Sequence, residues 1–174
     1  MRRFIKLFLI SALVLPTLVS CQKSLSKSIV GNYYFKVSGR ITGFSIDEEG
    51  PSEAIDLSTF RMSGQMEVID TTGGYIARLS VMLGGPVLLF PGTIEGEDIK
   101  FDDASVPFTV KDSATASTVS NSTGSVIYLN VYGQGRLYDG TLIVDLHCSD
   151  KSFAYKSKIY EIDEFEVDLV ADKE

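Results

Sequence analysis

The sequence predicts an all-β fold, an antiparallel meander of about eight strands closing into a barrel. Three observations predict it. Hydrophobicity alternates with period 2 almost throughout the chain after residue 28. Turn residues recur at short intervals between the alternating stretches. No window in the same region places apolar residues at helical spacing. A meander in sequential order leaves two open sheet edges, and closure removes both. A two-sheet sandwich satisfies the same alternation, because periodicity does not report closure. The 174 residues suit a single domain, placed here at residues 29–174.

The strands follow in order. Tyr33, Phe35, Val37, Gly39 and Ile41 share one face of the first. Beyond Gly43 the apolar residues become Phe44 and Ile46, and this phase switch predicts a β-bulge. Phe60, Met62, Gly64, Met66 and Val68 alternate with Arg61, Ser63, Gln65 and Glu67. A turn over 70–74 leads to an inward row of Tyr75, Ala77, Leu79, Val81 and Leu83, broken by Gly84-Gly85-Pro86. Val87 to Ile94 is interrupted by Pro91-Gly92 and reads as a kinked or edge strand. A short strand around Ile99 and Phe101 precedes another marked by Val106, Phe108 and Val110. Asp112 to Gly124 is rich in Ser and Thr without apolar period and reads as a long loop. Val126 to Tyr138 and Thr141 to Cys148 flank Asp139-Gly140, a dipeptide suited to a two-residue type I′ hairpin turn. In the last strand Tyr160 and Ile162 hold one phase while Phe165, Val167 and Leu169 hold the other, so a second bulge is expected near Asp163.

The amino terminus is an address. Arg2, Arg3 and Lys6 precede an apolar stretch from Leu7 to Leu15, too short to span a bilayer. Leu18-Val19-Ser20-Cys21 resembles the bacterial lipobox. That resemblance implies a signal peptide at 1–20, lipidation at Cys21 and a short polar tether at 21–28. Gln22 in place of Asp after the Cys implies the outer membrane of the cell envelope. The lack of an acidic run in Gln22-Lys23-Ser24-Leu25 implies a periplasm-facing protein. Ile29-Val30-Gly31-Asn32-Tyr33 and Gly135-Arg136-Leu137-Tyr138-Asp139-Gly140-Thr141-Leu142, together with the lipobox, resemble the calycin-like, lipocalin-like β-barrel lipoproteins of Bacteroidetes. Tyr33 stands where the lipocalin Gly-x-Trp entry has its Trp.

Charge narrows the partners. The chain carries 16 Lys+Arg against 23 Asp+Glu, a net of −7. Loss of Arg2, Arg3 and Lys6 with a signal peptide leaves 13 against 23, or −10. Nucleic acid is therefore not an expected partner. Membrane attachment falls to the lipid, since no polybasic patch is available.

Catalytic motifs are missing. The sequence has no Gly-x-Ser-x-Gly, His-Glu-x-x-His, Cys-x-x-Cys or phosphate loop. One His and two Cys predict no metal site and no cofactor. Acidic groups at Asp47-Glu48-Glu49, Glu95 to Asp98 with Asp102-Asp103, and Asp163-Glu164-Glu166 lack EF-hand spacing and read mostly as solvated turns. Asp145 and His147 share the polar face of one strand, where Asp145 could orient the imidazole; an exposed polar face explains both as well. Cys148 falls on the apolar face and reads most simply as a small buried hydrophobe, with an intermolecular disulfide or a reactive thiol as the minority reading.

The most informative segment for binding is Val126–Tyr138. Tyr128, Asn130, Tyr132, Gln134, Arg136 and Tyr138 share one face, opposite Ile127, Leu129, Val131 and Leu137. Tyrosines with an Arg and amides suit sugars or amphipathic ligands. That face either lines a polar cavity or stands outside as a cross-strand ladder. Gly133 and Gly135 allow close backbone approach. Asp70-Thr71-Thr72 and Asp112-Ser113-Ala114 resemble a short Bacteroidetes O-glycosylation motif, which would modify Thr71 and Ser113. The sequence thus points to a lipid-anchored, non-enzymatic envelope barrel with a small or amphipathic ligand. A module docking on an envelope protein is the alternative, and a hydrolase using His147 is a third reading.

Overall fold

The computed structural model describes residues 28–46, 52–59, 62–81, 87–95, 97–113 and 124–174. The lipobox and most of the tether, the Asp47-Glu48-Glu49 cluster, Phe60, Arg61, Leu83, Gly84-Gly85-Pro86 and the 114–123 part of the Ser/Thr-rich loop lie outside them.

Period-2 alternation gives the expected all-β architecture. Ten strands form one antiparallel sheet: β1 Gly31–Ser45, β2 Ala54–Thr59, β3 Met62–Thr71, β4 Gly74–Val81, β5 Val87–Glu95, β6 Asp98–Asp112, β7 Ser125–Tyr138, β8 Thr141–Cys148, β9 Ser152–Tyr155 and β10 Lys158–Lys173. Pairing follows β2-β1-β3-β4-β5-β6-β7-β8-β10-β9, with β1 also on β10 and β2 on β6. Eight strands, β1, β3 to β8 and β10, are therefore paired in a ring. β1 and β10 carry the longest ladder, from Tyr33↔Lys173 to Ser45↔Tyr160.

Two short strands exceed the expected count. β2 continues the line of β3 along β1, since Arg40 faces Ser58 and Val37 faces Met62. On its other side Leu57–Thr59 pair with Val110–Asp112 of β6, so Leu57 and Ser58 ladder with β1 and β6 at once. β9 joins β10 through Lys156 and Ser157, both with positive φ. That two-residue turn lacks the Gly or Asn that marks one in a sequence, so the hairpin is silent. Asp139 (φ 47°) and Gly140 (φ 84°) do form the expected I′-type turn between β7 and β8.

The bulges differ in part from expectation. On β10 the register with β1 shifts so that Thr42 faces Glu164 while Gly43 faces Ile162, which leaves Asp163 as the extra residue. The inward phase of β10 changes there from Tyr160 to Val167 and Leu169, as its sequence predicts. β1 undergoes no phase switch. Gly43 and Ser45 stay buried, while Phe44 and Ile46 are exposed. The register shift at Gly43 is absorbed by the partner strand, and the two expected bulges are one irregularity seen from both strands. A further bulge joins the two short strands expected around Ile99 and Val106 into β6. There Asp102 and Asp103 intervene between Phe101↔Gly133 and Ala104↔Val131, opposite Tyr132.

β5 pairs with β6 only over Gly92–Glu95, so Val87–Pro91 ladder with β4 alone. Pro107 likewise sits in a stretch of β6 paired only with β7. Each proline occupies a strand position with one neighbour, where a missing N–H costs least.

The buried face is filled by large side chains. Tyr33, Ile41, Leu57, Ile99, Phe108, Val110, Val131 and Leu142 expose no surface. Phe108 packs edge-on against Phe165 at 5.9 Å, and Phe153 stacks on Tyr160 at 5.6 Å. Ile29, fully buried, lies beside the start of β1, where the Tyr33 hydroxyl donates to its carbonyl at 2.5 Å. Tyr33 thus uses its polar tip to fix the segment that precedes the first strand.

Candidate functional site

The site grows from β7. Ile127, Leu129 and Val131 turn into the core, and strict alternation leaves Tyr128, Asn130, Tyr132, Gln134, Arg136 and Tyr138 outside. The tyrosine face is therefore an exterior surface. The alternative of a polar lining for an internal cavity fails, because the apolar face claims the core. Gly133 and Gly135 fall on the inner face. A Cβ at Gly135 would lie 2.2 Å from the Ile143 carbonyl oxygen, and one at Gly133 2.6 Å from Val144 Cγ1. Their hydrogens let β8 side chains fill the space beneath β7.

Register with β8 assembles the outer surface. Tyr132 faces His147, Gln134 faces Asp145 and Arg136 faces Ile143. The Tyr132 and His147 rings lie 5.3 Å apart at 37°. From the start of β6, Asp98 receives Arg136 Nε at 2.5 Å and Gln134 Nε2 at 3.2 Å. The Arg136 guanidinium holds the Asp98 carboxyl below the usual carboxylate range, and Arg136 is raised in turn. These groups line a shallow depression of ≈ 370 Å³ with Gln134, Arg136, Tyr138, Asp98, Ile143, Asp145 and His147 on its walls.

The expected binding residues divide. Gln134, Arg136 and Tyr138 line the depression, and Tyr132 flanks it through His147. Asn130 instead braces the loop after β8, its backbone N–H and Nδ2 donating to Asp150 at 2.7 Å and 3.1 Å. Tyr128 is the most exposed of the three tyrosines and stands opposite Pro107 of β6. Asp145 and His147 share the outer face of β8 as their spacing predicts. No hydrogen bond joins them among the described residues. The Asp145 carboxyl meets Asp168, its register partner on β10, and His147 leans on Tyr132.

Asp98, Ile143 and Asp168 are additions that the sequence reading does not place in the site. Asp98 reads only as a turn acid in sequence, and Asp168 becomes a neighbour of Asp145 only through the β8–β10 ladder. Burial pushes the Asp168 carboxyl up, and Asp145 and Glu166 push it further.

Of the remaining candidates, Thr71 is exposed at the end of β3 beside the Thr72-Gly73 turn. Ser113 is exposed just after β6, its hydroxyl 3.3 Å from Asp56 Oδ1. Cys148 is half-buried rather than buried as expected, because it ends β8 and packs against the margin of the core, and burial raises its thiol. Cys21 lies outside the described residues. No group of three or more His, Cys, Asp or Glu side chains suited to a metal ion occurs among the described residues. None of their helices is long and apolar enough to cross a membrane.

Comparisons with protein-family models, curated proteins and solved structures find no match to this chain.

Proposed function

We propose that this chain is a non-enzymatic, lipid-anchored binding module of the cell envelope, built as a calycin-like β-barrel and anchored through Cys21. It takes a small or amphipathic ligand on its outer surface rather than in its interior. The ring of strand pairing supports closure. One observation carries the binding role: the depression beside the Tyr132–His147 ring pair, where Asp98, Gln134 and Arg136 offer donors and acceptors next to exposed aromatic rings. Aromatic faces beside fixed polar groups suit a sugar ring or an amphipathic head group. The filled core directs the ligand outward, because its side chains already occupy the space an internal ligand would need.

Thermal shift of the full chain against envelope lipids and neutral oligosaccharides tests this reading. One class should raise the melting temperature, and Tyr132→Ala and Arg136→Ala should each abolish the rise. A panel without any stabilising member, with the fold intact by circular dichroism, overturns it.

A further inference from the structure

The depression follows β7, and its ends differ from its middle. Register with β8 sets the levels in order: Tyr132 with His147, Gln134 with Asp145, Arg136 with Ile143 and Tyr138 with Thr141. Aromatic rings therefore stand at both ends, Tyr132 with His147 at one and Tyr138 at the other. Both tyrosines are open to solvent, at 43% and 55% exposure. Alternate residues of a strand repeat every ~6.7 Å, so Tyr132 and Tyr138 stand ~20 Å apart along β7. Polar groups fill the interval between them.

The cations beside that interval are already paired. Arg136 is held by Asp98, and Lys100, the register partner of Gln134 on β6, is held by Glu95. An anionic head group finds no uncommitted cation in either, and Asp145 repels it. Hydrogen bonding is what the interval offers instead. Gln134 spends Nε2 on Asp98 and keeps its amide oxygen as an acceptor. Asp145 also accepts, and Arg136 has further N–H groups beyond the Nε that Asp98 takes.

We infer that the depression is a row of subsites for a linear neutral oligosaccharide lying along β7. The inference rests on the reading of this surface as the ligand site and names the ligand class. Sugar hydroxyls both donate and accept, so they fit a floor that mixes donors and acceptors and needs no counter-charge. The apolar C–H face of a sugar ring packs on an aromatic ring. Separation selects the length. A single sugar or a lipid head group meets one ring platform, whereas two platforms ~20 Å apart are reached together only by a chain of sugars. A straight chain matches the extended strand beneath it.

Titration calorimetry of the full chain tests the inference, with cello-, manno- and chito-oligosaccharides from monosaccharide to hexasaccharide as probes and phosphocholine as the head-group comparator. In at least one series affinity should rise about ten-fold from disaccharide to pentasaccharide and then level off, once the chain reaches both platforms. Tyr138→Ala should reduce the pentasaccharide to the affinity of the disaccharide and leave the disaccharide unchanged, with circular dichroism intact. Tyr138→Phe, which keeps the ring, should retain the gain. Affinity independent of chain length in every series overturns the inference, as does a gain that survives Tyr138→Ala or the absence of any saccharide binding. These outcomes separate from failure of the ligand reading: a monosaccharide or phosphocholine that binds through Tyr132 and Arg136 keeps that reading and removes this one.

Discussion

Asp168 of β10 stands directly across from Asp145 of β8, a like-charge pair in neighbouring strands. Burial, the nearby Asp145 charge and a hydrogen bond from the protonated form all raise the Asp168 carboxyl, and Glu166 adds to the effect.

The sign of the pH dependence follows. A carboxyl raised in the folded state binds its proton more tightly there than in the unfolded chain. Its contribution to stability is full below the ordinary Asp value near ~4 and is lost as pH rises through the raised value. Asp168→Asn should therefore stabilise the protein at neutral pH by ~0.5 kcal/mol, the scale of a like-charge cross-strand pair. Denaturant melts at pH 7 and pH 5 check this, and the gain should shrink at the lower pH.

Tyr33 gives the opposite end of the scale. Burial pushes its hydroxyl up to about 12, so the phenolate is disfavoured in the fold. Stability should hold below pH ~10, the unfolded value, and fall between there and about 12. Tyr33→Phe should remove that alkaline loss. It should also cost ~1 kcal/mol at neutral pH, because the Ile29 carbonyl loses its donor. Melting temperatures at pH 7 and pH 11 separate the two effects.

The turn between β9 and β10 stores strain. Lys156 at φ 47° and Ser157 at φ 65° both hold left-handed conformations with a Cβ present. Ser157→Gly should stabilise by ~1 kcal/mol, the scale of the penalty for a side chain in that region. Chemical denaturation reads the gain directly. A destabilised variant would show that the serine side chain contributes more than its conformation costs.

Gly135 should not tolerate a side chain. A Cβ there would lie 2.2 Å from the Ile143 carbonyl oxygen and 2.8 Å from Val144 Cγ2. Gly135→Ala should cost ~1–3 kcal/mol through overpacking between β7 and β8. Gly73, whose turn leaves open space around it, makes a useful contrast only for space, since its φ of 113° strains any replacement.

Much of this architecture is legible one strand at a time. Ile127, Leu129 and Val131 against Tyr128, Asn130 and Tyr132 define two faces of β7 without any structure, because side chains alternate along a strand. Asp139-Gly140 marks its turn because few residue pairs accept positive φ twice. The β10 bulge is visible because inserting one residue reverses the apolar phase. Phe44 and Ile46 mislead for a related reason. Two exposed apolar side chains on β1 mimic a reversal that the backbone does not make, and the lone signal is genuine only on the partner strand.

By itself the sequence determined the all-β class, the short-range turns and the division of β7 into an aliphatic and a tyrosine face, all of which depend on contacts or alternation within a few residues. Tertiary structure alone decided that the tyrosine face looks outward from a filled core, that Asp98 reaches Arg136 and that Asp145 meets Asp168. Those relationships depend on which strands pair and in what register. A period-2 pattern is the same for every partner a strand could have, so the pairing is set only when all the apolar faces are buried together.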